Sequence, residues 1–287
     1  HVAAKVSTLS ASAGEQRSLY DINVLGTRNL LRAARQAEVA RVVVTGSFSA
    51  TGYDPDDPSR PASDERPFYP FGAVMPYAHT KALAEHETLK AVVRGLDAVI
   101  ATSTACVGPY DYIPSRMGRT MCDYAKGKLR AYVPGGFEFV RAADLAAGHI
   151  AAMERGQCGH KYIFATHFHT LEDLVNMWAE VMGTPPVRLK VPAALMSGVT
   201  GLYSGALSKF FPNMPQRLNP GAISVLRMRR HADTTKAQTE LGWKPTDLRS
   251  AVIEAYDFFA RASMIERQPV VAVPREAPSA APRASAG

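Results

Sequence analysis

Two short apolar runs, residues 41–47 and 96–102, with a helix-forming stretch between them, constrain this chain more than any other feature. Arg41-Val42-Val43-Val44-Thr45-Gly46-Ser47 sets three consecutive β-branched residues before a turn of small ones, the pattern of a buried strand. Leu96-Asp97-Ala98-Val99-Ile100-Ala101-Thr102 reads the same way. Between them, residues 76–94 open on Pro and continue in Ala, Leu, Glu and Lys, which suits a helix with Pro in its first turn. Strand, helix and strand in this order belong to a parallel α/β sheet. Ser47 then falls at the carboxyl end of its strand, where open sheets bind ligands.

The helix carries the most informative pair. In Pro76-Tyr77-Ala78-His79-Thr80-Lys81-Ala82, Tyr77 and Lys81 are four residues apart and share one face. A free tyrosine has a pKa near ~10 and is a poor acid–base catalyst at neutral pH. A fixed ammonium nearby favours the phenolate and brings the proton into useful range. Read alone, the pair fits a solvated helix face as well as a catalytic one.

The surroundings form an ordered series. Asn23-Val24-Leu25-Gly26-Thr27-Arg28-Asn29-Leu30-Leu31 opens a helix ending near Ala37. Ser103-Thr104-Ala105-Cys106-Val107-Gly108-Pro109 follows the second strand. Phe139-Val140-Arg141-Ala142-Ala143-Asp144-Leu145-Ala146 and Leu241-Gly242-Trp243-Lys244-Pro245 come later. With these motifs in this order, residues 1 to about 265 resemble the extended short-chain dehydrogenase/reductase family, within the NAD-dependent epimerase/dehydratase superfamily. The likeness is greatest to its dihydroflavonol reductase and 3β-hydroxysteroid dehydrogenase branch.

The resemblance implies an α/β fold: a Rossmann-type doubly wound parallel sheet with a smaller, mostly helical C-terminal substrate lobe. Residues 1–104, rejoined by 139–165, are expected in the dinucleotide-binding domain. Residues 105–138 and 166–265 are expected in the lobe. It implies that Tyr77 is the general acid in carbonyl reduction, that Lys81 lowers its pKa and holds the ribose, and that Ser47 donates to the carbonyl oxygen. Ala3, Ala4, Asn23, Thr45, Thr104 and Ala105 are expected along the cofactor, which is NADP or NAD, with NADP the expectation. Ser49, Tyr110, Tyr112, Met117, Phe137 and Tyr203 are the expected substrate-pocket residues. Relatives often dimerise through two helices per subunit, 77–94 being one, so a homodimer is expected. Two departures reshape the pocket floor: Gly46 replaces the second Ser common in relatives, and Ala50-Thr51-Gly52 replaces the frequent Val-Tyr-Gly. Ser49 could compete with Ser47 for the carbonyl, but Ser47 directly ends the strand.

His1-Val2-Ala3-Ala4 is similar to the end of the family's fourth strand. No G-x-G-x-x-G or G-x-x-G-x-x-G string occurs in the 287 residues, and there is no initiator Met. Such a turn lets the backbone approach a pyrophosphate at a helix N-terminus. The expectation is therefore a fragment lacking its first two βα units, about 60–70 residues at the usual size of such a unit.

Composition excludes several classes. The chain is 46% hydrophobic and 21% charged, as globular domains are. No run approaches the ~18 apolar residues of a membrane span. Three cysteines, Cys106, Cys122 and Cys158, lack a metal-ligand spacing and leave an odd count, which points to a reducing, cytoplasmic setting. The net charge of +7 includes a basic cluster, Arg227, Arg229, Arg230 and His231. Without interleaved aromatics it is not a nucleic-acid signature; it reads as a solvated face or as an anion site.

Residues 53–75, rich in Pro, Asp and Ser, mark a surface loop. Its Asp54, Asp56 and Asp57 lack the Gly and Glu of a calcium loop, and His167 and His169 lack a third metal ligand. Lys161-Tyr162-Ile163-Phe164-Ala165 reads as a strand, and Thr170-Leu171-Glu172-Asp173 as the cap of the next helix. The tail from Arg267 onward, mostly Pro, Ala, Ser, Val and Arg, reads as disordered or as a linker.

Three functions follow. One is an NAD(P)H-dependent reductase of a ketone or aldehyde on a hydrophobic small molecule, for which Tyr110, Tyr112, Met117, Met121, Tyr203 and Phe211 supply apolar surface; core packing accounts for such residues equally. Another is a sugar-nucleotide epimerase holding NAD tightly. The third is a non-catalytic dinucleotide-binding scaffold, which predicts decay of a catalytic set that is here intact. Dehydratases of the superfamily carry an Asp-Glu pair after the strand-end hydroxyl; here Phe48 and Ser49 follow Ser47.

Overall fold

Val42–Ser47 (β1), Ala98–Ser103 (β2) and Lys161–Phe164 (β5) lie side by side as a parallel sheet of order β1-β2-β5. The structure is a computed structural model and describes residues 1–6, 12–52, 60–64, 75–191 and 229–266. Register pairs Ser47 with Ser103, so β1 and β2 end level. Both are buried for nearly their whole length, as strands covered on both faces must be. His1 runs along the outer edge of β1. Its amino group donates to the Val43 carbonyl at 2.8 Å, and its own carbonyl accepts from the Thr45 amide at 3.0 Å.

The helix expected from Asn23 begins earlier. Ser12 caps Ala13–Tyr20 (α1), a π-helical turn covers Asp21–Leu25, and Gly26–Gln36 (α2) completes it. The widened turn contains Asn23, whose buried side chain is fully occupied. Its Oδ1 accepts from the Lys5 amide at 2.7 Å, and its Nδ2 donates to the Lys5 carbonyl at 2.9 Å and to Thr80 Oγ1 at 3.0 Å. π-Turns of this kind recur near functional sites; here it clamps the first residues of the chain to the next helix.

That helix, Pro76–Val93 (α3), has Pro in its first turn and stops before Gly95 at φ +91°, a conformation that costs a side-chain-bearing residue. A smaller sheet follows. Ala105–Val107 (β3) runs parallel to Gly136–Arg141 (β4), which pairs antiparallel with Phe168–Thr170 (β6). Arg116–Ala125 (α4), Ala142–Arg155 (α5), Leu171–Met182 (α6), Thr235–Leu241 (α7) and Leu248–Arg261 (α8) complete the described elements. Thr170 and Asp173 form the expected capping box on α6, which ends at Gly183 in the left-handed conformation.

The apolar residues divide between the two sheets. Phe139, Leu174, Trp178, Tyr256 and Phe259 centre one cluster among β4, α6 and α8. Val43, Val99, Phe164 and Trp243 belong to another on the parallel sheet. Residues 235–243, expected with the lobe, thus pack on α5 and β5. The late motif reaches the earlier one there: Trp243 Nε1 donates to the Asp144 carbonyl at 2.8 Å, and the Asp144 carboxylate accepts from the Thr246 amide and hydroxyl, each at 2.7 Å.

Candidate active site

Ser47, Tyr77 and Lys81 converge at the carboxyl ends of β1 and β2. The strand delivers Ser47 at its last residue, and α3 delivers the other two one turn apart. The Ser47 side chain lies near enough to the Tyr77 phenol to act on its ionisation. Ser47 Oγ lies 2.8 Å from Ser49 Oγ and also accepts from the Ser49 amide. The two serines therefore form one hydroxyl pair, with Ser47 the member that reaches the phenol.

Lys81 is anchored on β1. Its ammonium donates to the Thr45 carbonyl at 2.6 Å, so its attachment is to the strand. Burial is the leading influence on both groups. It raises the Tyr77 phenol above its ordinary value, with the Ser47 side chain pulling the other way. It lowers the Lys81 ammonium, with the Glu85 carboxylate opposing. The lowered phenol expected from Lys81 is thus not the balance found: removal from water outweighs a cation that is directed at a carbonyl.

Thr45 is held on every side. Its amide binds His1, its carbonyl receives Lys81, and its hydroxyl lies 2.8 Å from His149 Nε2. His149 Nδ1 sits 2.8 Å from the Leu145 carbonyl. That nitrogen must donate, leaving Nε2 to accept from Thr45. Burial lowers the His149 pKa, consistent with a neutral ring. Among the expected cofactor residues, Ala3 and Ala4 are exposed and follow His1 towards the carboxyl end of β1. Thr104 Oγ1 donates to the Phe164 carbonyl at 3.1 Å, and Ala105 opens β3 opposite Phe139.

The donor chemistry suits the nicotinamide half of a dinucleotide. Lys81 has three N–H bonds and, among the described residues, one acceptor. Two remain for the vicinal hydroxyls of a ribose. Exposed backbone at Ala3 and Ala4 and the level ends of β1 and β2 complete the bed on which the ring would rest.

Of the expected substrate residues, Ser49 stands in the site beside Ser47, while Tyr110, Tyr112, Met117 and Phe137 lie elsewhere. Tyr110 and Met117 line a cavity of about 200 Å3 with Asp111, Met121, Trp178 and Phe259, and none of Ser47, Tyr77 or Lys81 borders it. Tyr112 stands edge-on to Phe258 at 5.1 Å. Phe137 packs at right angles to Phe139 on β4, 6.1 Å between rings. Tyr110 and Tyr112 are largely exposed, and Met117 and Phe137 pack partly buried against the cluster of β4, α6 and α8. Tyr203, Phe211, Arg227 and Asp54, Asp56 and Asp57 lie outside the described residues.

Three further residues stand out in the structure, of which the sequence singles out Arg230 alone. Arg230, expected on a solvated face or at an anion site, sets its guanidinium 4.6 Å above the Phe48 ring and donates to the Thr51 carbonyl. Glu138 on β4 accepts from the Ala232 amide at 2.9 Å, has His231 Nδ1 at 3.7 Å, and is pushed by burial up to about 7. Glu85, one turn beyond Lys81, is almost fully buried and bonded to Lys161 at 2.8 Å. Its four-residue spacing from Lys81 was the one clue available in the sequence.

The description "NAD dependent epimerase/dehydratase family" belongs to the family model that matches residues 1–165. Sterol demethylase protein B of Methylococcus capsulatus is 38% identical over 265 residues, covering 92% of this chain and 79% of that protein. A putative dihydroflavonol 4-reductase of Synechocystis is 28% identical, covering 93% and 77%. Among solved structures, gox2253 superposes with a TM-score of 0.73 at 29% identity, covering 91% of this chain and 78% of that one. RMD from Pseudomonas aeruginosa, complexed with NADPH, shares the fold at 16% identity, TM-score 0.67, covering 91% and 80%. No helix among the described residues is long and apolar enough to cross a membrane. With more than half its length matched and its strand-end serine and helical tyrosine–lysine pair assembled at one sheet edge, this chain belongs to the NAD-dependent epimerase/dehydratase family.

Proposed function

We propose that this protein is an NAD(P)H-dependent oxidoreductase that reduces a ketone or aldehyde on a hydrophobic small molecule of steroid or flavonoid type. The observation that carries the reading is the placement of Ser47 at the end of β1 beside the Tyr77 phenol, with Lys81 one helical turn along α3 and anchored on Thr45. The relatives support the substrate class. Sterol demethylase protein B and a 3beta-hydroxysteroid-dehydrogenase/decarboxylase of Arabidopsis thaliana, 26% identical over 91% of this chain, carry sterol names.

A bound reduced nicotinamide supplies the hydride. Ser47 donates a hydrogen bond to the substrate oxygen and stabilises the charge that develops there as the carbonyl carbon is reduced. Tyr77 gives its proton to the same oxygen, so the products are an alcohol and a phenolate that solvent reprotonates. Its raised pKa keeps the phenol protonated, and therefore competent to donate, at neutral pH. Lys81, anchored on Thr45, holds the ribose hydroxyls and offsets the phenolate charge.

The test is coenzyme turnover by the full-length protein, with NADPH and NADH each offered alongside steroid ketones, aromatic ketones and nucleotide sugars. Net oxidation of the coenzyme by a ketone, lost in Tyr77→Phe, is the expected result. Interconversion of a nucleotide sugar with no net change in coenzyme overturns it in favour of an epimerase. Silence with every substrate from a folded protein overturns it in favour of a non-catalytic scaffold.

A further inference from the structure

A buried series of alternating charge runs beneath the tyrosine–lysine pair. Lys81 and Glu85 stand one turn apart on α3 and are both buried. Glu85 Oε2 accepts from Lys161 Nζ at 2.8 Å, with the Glu85 side chain 1% and the Lys161 side chain 10% exposed. Lys161 comes from β5, the far strand of the parallel sheet, so the pair spans the sheet from α3. Taking two charges out of water commonly costs more than their attraction returns, and apolar replacements of such pairs are often neutral or stabilising. Stability alone is a poor reason to place this pair here.

Its surroundings are built around the carboxylate. Glu85 Oε1 and Thr102 Oγ1 are buried without a hydrogen-bond partner among the described residues. Both border Gly46: a Cβ on that residue would stand 2.8 Å from the first and 2.7 Å from the second. The glycine that departs from the family pattern is therefore what leaves Glu85 its place. A carboxylate so enclosed, with one oxygen unsatisfied, retains much of its field for the next cation along the helix.

We propose that Glu85, balanced by Lys161, is the positioning residue for Lys81, holding it as an ammonium against the Thr45 carbonyl so that it can serve Tyr77 and the ribose. The inference rests on the reductase reading for its catalytic meaning and on the geometry alone for its electrostatics. Burial draws the Lys81 pKa down and the Glu85 charge, acting through space, holds it up. The other ionisable groups around Lys81 are Tyr77 on its own helix and neutral His149 behind Thr45. The terminal amine of His1 lies on Val43, and Lys5 is paired with Glu15.

The experiment follows the Lys81 Cε resonance against pH in protein labelled with 13C-lysine, assigned with Lys81→Arg. It needs neither coenzyme nor turnover, so it stands apart from the fate of the reductase reading. In Glu85→Gln the Lys81 midpoint falls by about one unit or more, as loss of a nearby opposite charge requires. In Lys161→Met it rises, because the whole Glu85 field then falls on Lys81. The double variant, which removes both charges of the Glu85–Lys161 pair, serves if Glu85→Gln fails to fold, and its midpoint lies below that of the unaltered protein. In the active enzyme, Glu85→Gln lowers the alkaline limb of the pH–rate profile, and Glu85→Asp partly restores it. Unchanged midpoints, or shifts of the same sign in Glu85→Gln and Lys161→Met, overturn the proposal and leave the pair a structural one.

Discussion

The Lys81 ammonium donates to the backbone carbonyl of Thr45 at 2.6 Å, and the Thr45 amide is held in turn by His1. This bond ties α3 to the end of β1 and so sets where Tyr77 meets Ser47. A flexible lysine at the same position would leave the phenol and hydroxyl unregistered. A charge-assisted bond to a partly buried carbonyl is among the stronger contacts a side chain makes.

Tyr77→Phe removes the proton donor and keeps the ring's packing. We expect turnover to fall by about 10²–10⁴-fold with an unchanged thermal melt. Ser47→Ala removes the donor to the developing oxyanion, and the expected loss is about 10²–10³-fold. Steady-state kinetics on both, with circular dichroism to confirm folding, check the pair. A Ser49→Ala variant that loses more than Ser47→Ala would reverse the roles of the two hydroxyls.

Glu138 makes stability fall with rising pH. Its folded pKa, about 7, lies above the ordinary 4.5 because of burial. The neutral form is therefore the one the fold prefers. That contribution is complete below about pH 4.5 and is lost as pH rises through about 7. At ~1.36 kcal/mol per unit the whole effect is on the order of 3 kcal/mol. Glu138→Gln keeps an acceptor for Ala232 and removes the titration. Its melting temperature should match the unaltered protein at pH 4.5 and exceed it at pH 8.

Gly46→Ala places a methyl group 2.7 Å from Thr102 Oγ1, 2.8 Å from Glu85 Oε1 and 3.0 Å from Ile100 Cγ2. All three lie in a packed interior, so the strand must shift or the carboxylate must move. The expected cost is about 1–3 kcal/mol, read by chemical denaturation. Adding Thr102→Ala should recover part of it by removing the nearest of the three atoms.

Trp243→Phe retains an aromatic ring against Phe164, which the indole meets edge-on at 5.1 Å, and deletes the N–H that serves the Asp144 carbonyl. A buried acceptor left without its donor costs about 1–3 kcal/mol. Urea unfolding should report a loss of that size, and hydrogen exchange should quicken in α7 before it does in β1.

What this chain could declare without a structure was what its backbone decides locally. Three successive valines before Thr45-Gly46-Ser47 make a buried strand, Thr170 and Asp173 close a capping box, and Tyr77 and Lys81 fall on one face because a helix turns every ~3.6 residues. The family likeness, and with it the strand-end serine, followed from the order of such segments. The direction taken by the Lys81 ammonium, the Glu85–Lys161 pair across 76 residues, the Trp243–Asp144 bond across 99 and the Arg230–Thr51 contact across 179 depend on which surfaces meet once the sheet is assembled. Helical periodicity names the face a side chain occupies; only packing decides what stands opposite it. That is why the aromatic residues expected in the pocket could be recognised as apolar but not divided between core and site.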